Sequence, residues 1–159
     1  VFLCLGAAGY IILIASRNPA LSYFATYMAT CGIYPLVPNT IAWTSNNVEG
    51  SYKRSVTVAW IISFGNINGA VSSNIYRAPD APWYTLGHGL VLMYIGIGMI
   101  STLVYHYFLV KENARRDRGE RDEIIGKDGT GNEKNGRFAT VEEAKVEKGD
   151  YWSGYRYMT

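Results

Sequence analysis

The stretch GHGLVLMYIGIGMISTLVYHYFLV, residues 87–110, runs for 24 positions without an Asp, Glu, Lys or Arg. Spanning a hydrocarbon core takes roughly 20 mostly apolar residues in a helix, so this stretch reads as a membrane span. The chain before it repeats the pattern: residues 1–16, 18–48 and 55–76 also lack those four residue types. A soluble bundle would show polar faces every three or four residues, and these runs show almost none. The reading is an all-α integral membrane protein with helices over about 1–16, 20–44, 55–76 and 87–110.

Charge divides the chain. Residues 1–110 carry six formally charged side chains: Arg17, Glu49, Lys53, Arg54, Arg77 and Asp80. The remaining 49 residues carry 22, split as 11 basic and 11 acidic. We take 1–112 as the transmembrane part and 113–159 as a soluble tail. From Asn113 the tail is charged and Gly-rich, with too little apolar surface to offset the entropy of ordering, so disorder is expected through about 148. The aromatic end, Tyr151-Trp152-Ser153-Gly154-Tyr155-Arg156-Tyr157, reads as a loose terminus that could alternatively dock on a partner or a bilayer surface. Nucleic acid is excluded as a partner, because no basic cluster is interleaved with stacking aromatics. Cys4 and Cys31 lie in apolar stretches and read as small buried side chains, and no spacing suits a metal or a cofactor. Val1 opens inside an apolar run with neither an initiator Met nor a basic flank, so we read the chain as part of a longer protein.

The turns fit this division. Pro19 suits the first turn of the second helix. The 45–54 turn is polar, and Pro79, Asp80 and Pro82 stop the third helix, with Trp83 and Tyr84 at headgroup depth. Lys53 and Arg54 lie on the side of the tail's Lys111, Arg115, Arg116, Arg118 and Arg121, against Arg17 and Arg77 opposite. The positive-inside bias puts the 45–54 loop and the C-terminus in the cytoplasm.

Polar groups at membrane depth are the candidates for function. Tyr23, Tyr27, Thr30 and Tyr34 recur at spacings of four, three and four and form one polar-aromatic stripe. Two readings stand: a cavity lining for a flat or amide-bearing solute, or hydrogen bonding between helices. Pro35 and Pro38 interrupt the same helix before Asn39, as either a gating hinge or a fixed kink. Gly65 and Gly69 form a GxxxG helix-packing face flanked by Asn66 and Asn68. His88 and His106 read as hydrogen-bonding groups near the ends of the fourth helix. No nucleophile–base pair or phosphate loop appears, so an enzyme is not expected.

Tyr34-Pro35, Asn39, Trp43-Thr44-Ser45-Asn46-Asn47, Gly50, Lys53-Arg54 and Gly65-Asn66 resemble, in order, the fungal allantoate permease family. That family is the anion:cation symporter branch of the major facilitator superfamily. Tyr76, Asp80-Ala81-Pro82, Tyr84 and Gly87-His88 are similar to its final external loop. Gly149-Asp150 with Tyr155-Arg156-Tyr157 is similar to its C-terminal ending. The resemblance implies a twelve-helix fold of which this chain supplies the C-terminal four helices, the remaining N-terminal helices lying outside it. It implies secondary transport of a small organic anion such as allantoate, ureidosuccinate, nicotinate or another vitamin, with protons, across the plasma membrane. The tenth helix of such a transporter lines the central cavity and the eleventh lies between the halves. That makes Tyr23, Tyr27, Tyr34, Asn39 and Asn66 the substrate-binding candidates, while the cation facing an anionic solute and the titrating acid are expected elsewhere. The alternative is a four-helix membrane scaffolding or binding protein without transport activity.

Overall fold

The computed structural model describes residues 1–76, 81, 83–126 and 129–159, with the side chain of residue 71 left aside. Pro79, Asp80 and Pro82, expected to stop the third helix, lie outside the described residues. Five long helices come first: α1 Phe2–Ala15, α2 Pro19–Ile33, α3 Leu36–Asn46, α4 Ser51–Ser72 and α5 Thr85–Asp117. A short helix, α6 Val141–Lys148, lies in the tail, after strands β1 Ile124–Ile125 and β2 Arg137–Phe138. The chain divides into two compact units, one of residues 1–42 and 58–102, the other of residues 43–57 and 103–159.

In the first unit α1 and α2 form a close hairpin. Asn18 caps α2 by accepting the Ala20 amide at 3.0 Å, and Pro19 sits where no helical donor is needed. The buried residues at the crossing are all small: Gly6 and Gly9 on α1, with Ala25, Ala29 and Gly32 on α2. A Cβ built on Gly9 would come 2.7 Å from the Ala29 nitrogen and 2.9 Å from the Ala25 carbonyl oxygen. Backbone therefore packs on backbone, the close approach that small residues allow between apolar helices. Cys4 and Cys31 lie off this seam and are exposed rather than buried.

One helix over 20–44 is the sequence expectation, and the structure has two. Pro35 has no N–H to give to the carbonyl four residues back, so the ladder of α2 stops at Tyr34, whose amide still reaches the Thr30 carbonyl at 3.1 Å. The helix restarts at Leu36, and Asn39 donates to the Pro35 carbonyl at 3.3 Å. Pro38 then falls in the first turn of α3, where an amide has no intrahelical partner.

Among the described residues, α5 is the helix long and apolar enough to cross a membrane by length and composition, and α1 is a shorter apolar helix. Exposed large side chains run along both remaining faces, including Trp60, Phe64 and Ile67 on α4 and Ile97, Ile100 and Leu103 on α5. Gly65 and Gly69 face open space, since a Cβ at either meets nothing within 4 Å.

In the second unit the tail differs from the expected disorder. β1 and β2 pair in parallel, Ile124 with Arg137 and Ile125 with Phe138, so the chain is not purely helical. Thr140 accepts the Glu143 amide at 3.2 Å while Glu143 accepts the Ala139 amide at 2.8 Å, a reciprocal cap that starts α6. Gly149, at φ +56°, closes α6 in a conformation that favours glycine. Burial of Glu123 is compensated by Lys148 Nζ at 3.1 Å and by Ser153 Oγ at 3.0 Å. The charges that argue for solvation in sequence are thus partnered with one another.

Candidate functional site

Tyrosines of α2 project from one side of the helix, as the four-three-four spacing requires. Tyr23 and Tyr27 are joined hydroxyl to hydroxyl at 2.8 Å, with their rings edge to face at 5.0 Å. Both remain exposed, as does Tyr34. Thr26 and Thr30 turn their hydroxyl protons back to the Ser22 and Thr26 carbonyls, at 2.9 and 2.8 Å.

Tyr34 and Thr30 line a cavity of about 460 Å³ whose other walls include Tyr10, Tyr76 and His88. Tyr76 and His88 are joined through the phenol oxygen and Nδ1 at 3.3 Å. The His88 ring centre lies 5.8 Å from that of Tyr10 and 5.5 Å from that of Tyr76, tilted by 54° and 66°. Of the five expected solute residues the cavity takes only Tyr34. Tyr23 and Tyr27 form their own pair, Asn39 is exposed on α3 and Asn66 on α4. Tyr10 carried no signal beyond an aromatic in an apolar run. His88 did, as a titratable group in a run, 87–110, without Asp, Glu, Lys or Arg.

Separately, the second unit contains a docked terminus. Arg116 is buried, and its Nη1 and Nη2 donate to the carbonyls of Trp152, Tyr155 and Asp150 and to the Tyr157 hydroxyl, at 2.9–3.2 Å. Glu112 Oε1 balances the charge at 3.5 Å from Arg116 Nε. Two asparagine amides hold successive backbone units of the tail. Asn113 donates to the Tyr157 carbonyl at 2.8 Å and accepts its amide at 2.9 Å. Asn47 donates to the Met158 carbonyl at 3.1 Å and accepts its amide at 2.6 Å. Trp43 Nε1 reaches the same Met158 carbonyl at 2.8 Å, and the Tyr155 hydroxyl donates to the Asn46 carbonyl at 2.8 Å. Lys53 bridges to Asp150 at 2.5 Å. Burial pushes the Lys53 ammonium down, but the hydrogen bond and charge of Asp150 outweigh it, and the net shift is upward. Burial raises the phenols of Tyr155 and Tyr157. The sequence flags the aromatic end but not its receptor, because Asn47 and Asn113 have no pattern that marks them as partners.

A small-residue helix hairpin, one apolar helix of spanning length and wide exposed apolar faces are features that helical membrane proteins share, and the class itself rests on sequence comparison. Sequence comparison narrows the class. The chain is 34% identical over 128 residues to an uncharacterized transporter of Schizosaccharomyces pombe, covering 78% of this chain and 26% of that protein. It is 35% identical over 118 residues to the MFS-type transporter cnsO of Penicillium expansum, covering 70% and 23%. It is 29% identical over 108 residues to the high-affinity nicotinic acid transporter of Saccharomyces cerevisiae, covering 68% and 20%. The chain is a homologue of major facilitator-type transporters, and it spans about a quarter of the length of the curated relatives it matches. No family model matches the chain, and no solved structure does.

Proposed function

We propose that this chain is the C-terminal four-helix portion of a proton-coupled major facilitator transporter of the allantoate permease type, carrying a small organic anion across a fungal plasma membrane. The observation that carries the reading is the homology to MFS-type transporters, which extends over more than two thirds of this chain. The nicotinic acid transporter among the relatives supports an organic anion as solute. In this reading α1, the α2–α3 pair, α4 and α5 are the four spans, and the remaining N-terminal helices complete the fold. The tail and the 45–54 loop are cytoplasmic, following the Lys and Arg bias. Tyr23, Tyr27, Tyr34, Asn39 and Asn66 contact solute, and Gly65 and Gly69 pack against helices outside the chain. The open space beside those glycines supports the last assignment.

The test expresses the full-length transporter carrying this chain in yeast cells deficient in uptake of nicotinate, allantoate and ureidosuccinate. Radiolabelled uptake of one of the three, stimulated at acid external pH and abolished by a protonophore, is the expected result. Surface-expressed protein that moves none of them, at any pH, overturns the reading.

A further inference from the structure

In the second unit the end of α3 with the turn into α4, residues 43–54, faces the end of α5, residues 103–117. Trp43 meets Tyr105 edge to face, with ring centres 4.9 Å apart. Among the described residues, no hydrogen bond or ion pair runs directly between these two parts. A cavity of about 630 Å³ lies there instead, walled by Asn47 and Val48 from one part and by Phe108 and Leu109 from the other. Tyr151 and Tyr157 of the tail complete its lining.

The polar bonds run through the tail, which holds both parts. On the α3 side, Asp150 takes Lys53, the Tyr155 hydroxyl takes the Asn46 carbonyl, and Met158 is held by Trp43 and Asn47. On the α5 side, Arg116 takes the carbonyls of Asp150, Trp152 and Tyr155, and Asp117 pairs with Arg156 at 3.0 Å. Successive peptide units at the end are shared out, Tyr157 to Asn113 and Met158 to Asn47. The grip is polar rather than apolar, since Tyr151 stays 66% exposed and Met158 54%. Bonds of this kind exchange for bonds to water at small net cost, which puts the segment at the readily opened end of the structure.

We propose that residues 150–158 form a releasable strap across the ends of α3 and α5, and that lifting it opens the cavity between them. The device goes beyond the transport reading and is independent of the solute carried. In the orientation proposed above, the strap sets whether these two helix ends can part on the cytoplasmic face.

Leu109 reports the state of the strap, because it is buried and lines the cavity. The purified full-length protein carries Leu109→Cys, with Ser51→Cys at an exposed position as the reference. Labelling by a soluble maleimide is followed at each position by peptide mass spectrometry. Asn113→Ala, or deletion of residues 149–159, should speed labelling at 109 by roughly tenfold or more and leave position 51 unchanged. A synthetic peptide of residues 149–159, added to the deletion variant, should slow position 109 again, and the same residues in scrambled order should not. Unfolding would also speed labelling, but added peptide would not reverse it, so the return of protection separates release from unfolding. A wild-type rate at 109 in either variant overturns the proposal. So does labelling that the peptide leaves fast, or that the scrambled peptide slows equally.

Discussion

Adding one methyl group at Gly9 should damage the protein, whereas the same change three residues earlier should not. A Cβ at Gly9 lies 2.7 Å from the Ala29 nitrogen, 2.9 Å from the Ala25 oxygen and 3.0 Å from the Ala29 Cα, all backbone atoms with no side-chain freedom to yield. Ordinary contact begins at 3.4 Å, so α1 and α2 must part by about 0.7 Å. A radial gap of 0.5–1 Å forfeits roughly a quarter to a half of each dispersion contact along the seam. Overpacking of this kind costs about 1–3 kcal/mol, and the better helix propensity of Ala returns up to about 1 kcal/mol. Gly9→Ala should therefore destabilise by about 1–2 kcal/mol. At Gly6 the nearest atom to a new Cβ is Ile33 Cγ1 at 3.5 Å, an ordinary contact, so Gly6→Ala keeps the propensity gain and fills space. The two variants should differ by about 2–3 kcal/mol, with wild type between them. Thermal unfolding of the purified full-length transporter, followed by loss of the monodisperse peak in size-exclusion chromatography, measures the order. Equal midpoints for Gly6→Ala and Gly9→Ala would refute backbone-on-backbone packing at this crossing.

Three further outcomes follow from the second unit and the loops. Asn113→Ala removes two hydrogen bonds to Tyr157, worth about 2 kcal/mol together, so amide exchange at Tyr157 and Met158 should quicken by roughly 30-fold. Exchange slowed only by neighbouring residues would show the amide pair to be incidental. Lys53, Tyr155 and Tyr157 all titrate above their ordinary values of 10.5, 10.0 and 10.0. A raised folded-state value contributes stability that is complete below the unfolded value and lost as pH climbs through the folded one. Tail docking should thus hold at neutral pH and weaken above about pH 10, seen as falling anisotropy of a dye attached at Thr159→Cys. Ser51→Cys should react with an impermeant maleimide only from the cytoplasm and Thr85→Cys only from outside; the reverse pattern inverts the orientation.

The apolar helix α5 is legible in sequence because its signal is compositional: charge is absent from a run of spanning length, from 87 to 110. The break between α2 and α3 is legible only in part. Pro35 and Pro38 mark it, but whether two prolines bend one helix or divide it depends on the backbone at Tyr34. The hairpin seam is hidden for another reason. GxxxG at Gly65 and Gly69 draws attention, whereas Gly6, Gly9, Ala25, Ala29 and Gly32 pack across two helices with no shared motif. The tail misleads because composition counts charges without seeing their partners. Thr140 and Glu143 carry the spacing of a helix cap, a local cue that outweighs the average polarity around it. The candidate cavity is legible through Thr30, Tyr34 and His88 as separate residues but not as a group, since Tyr10, Tyr76 and His88 come from three other segments.

Asn47 and Asn113 grip peptide groups rather than side chains, and Arg116 likewise takes three carbonyls. A peptide group is the same whatever residue bears it, so these contacts are blind to the identity of the residue they hold. Mutational tolerance should then be lopsided. Met158 can be exchanged for many residues without loss of its two amide bonds, whereas substitution of either asparagine removes a donor and an acceptor together. Position 158 is thus free to drift in spelling, while Asp150, Tyr155 and Tyr157, whose side chains are also held, are not.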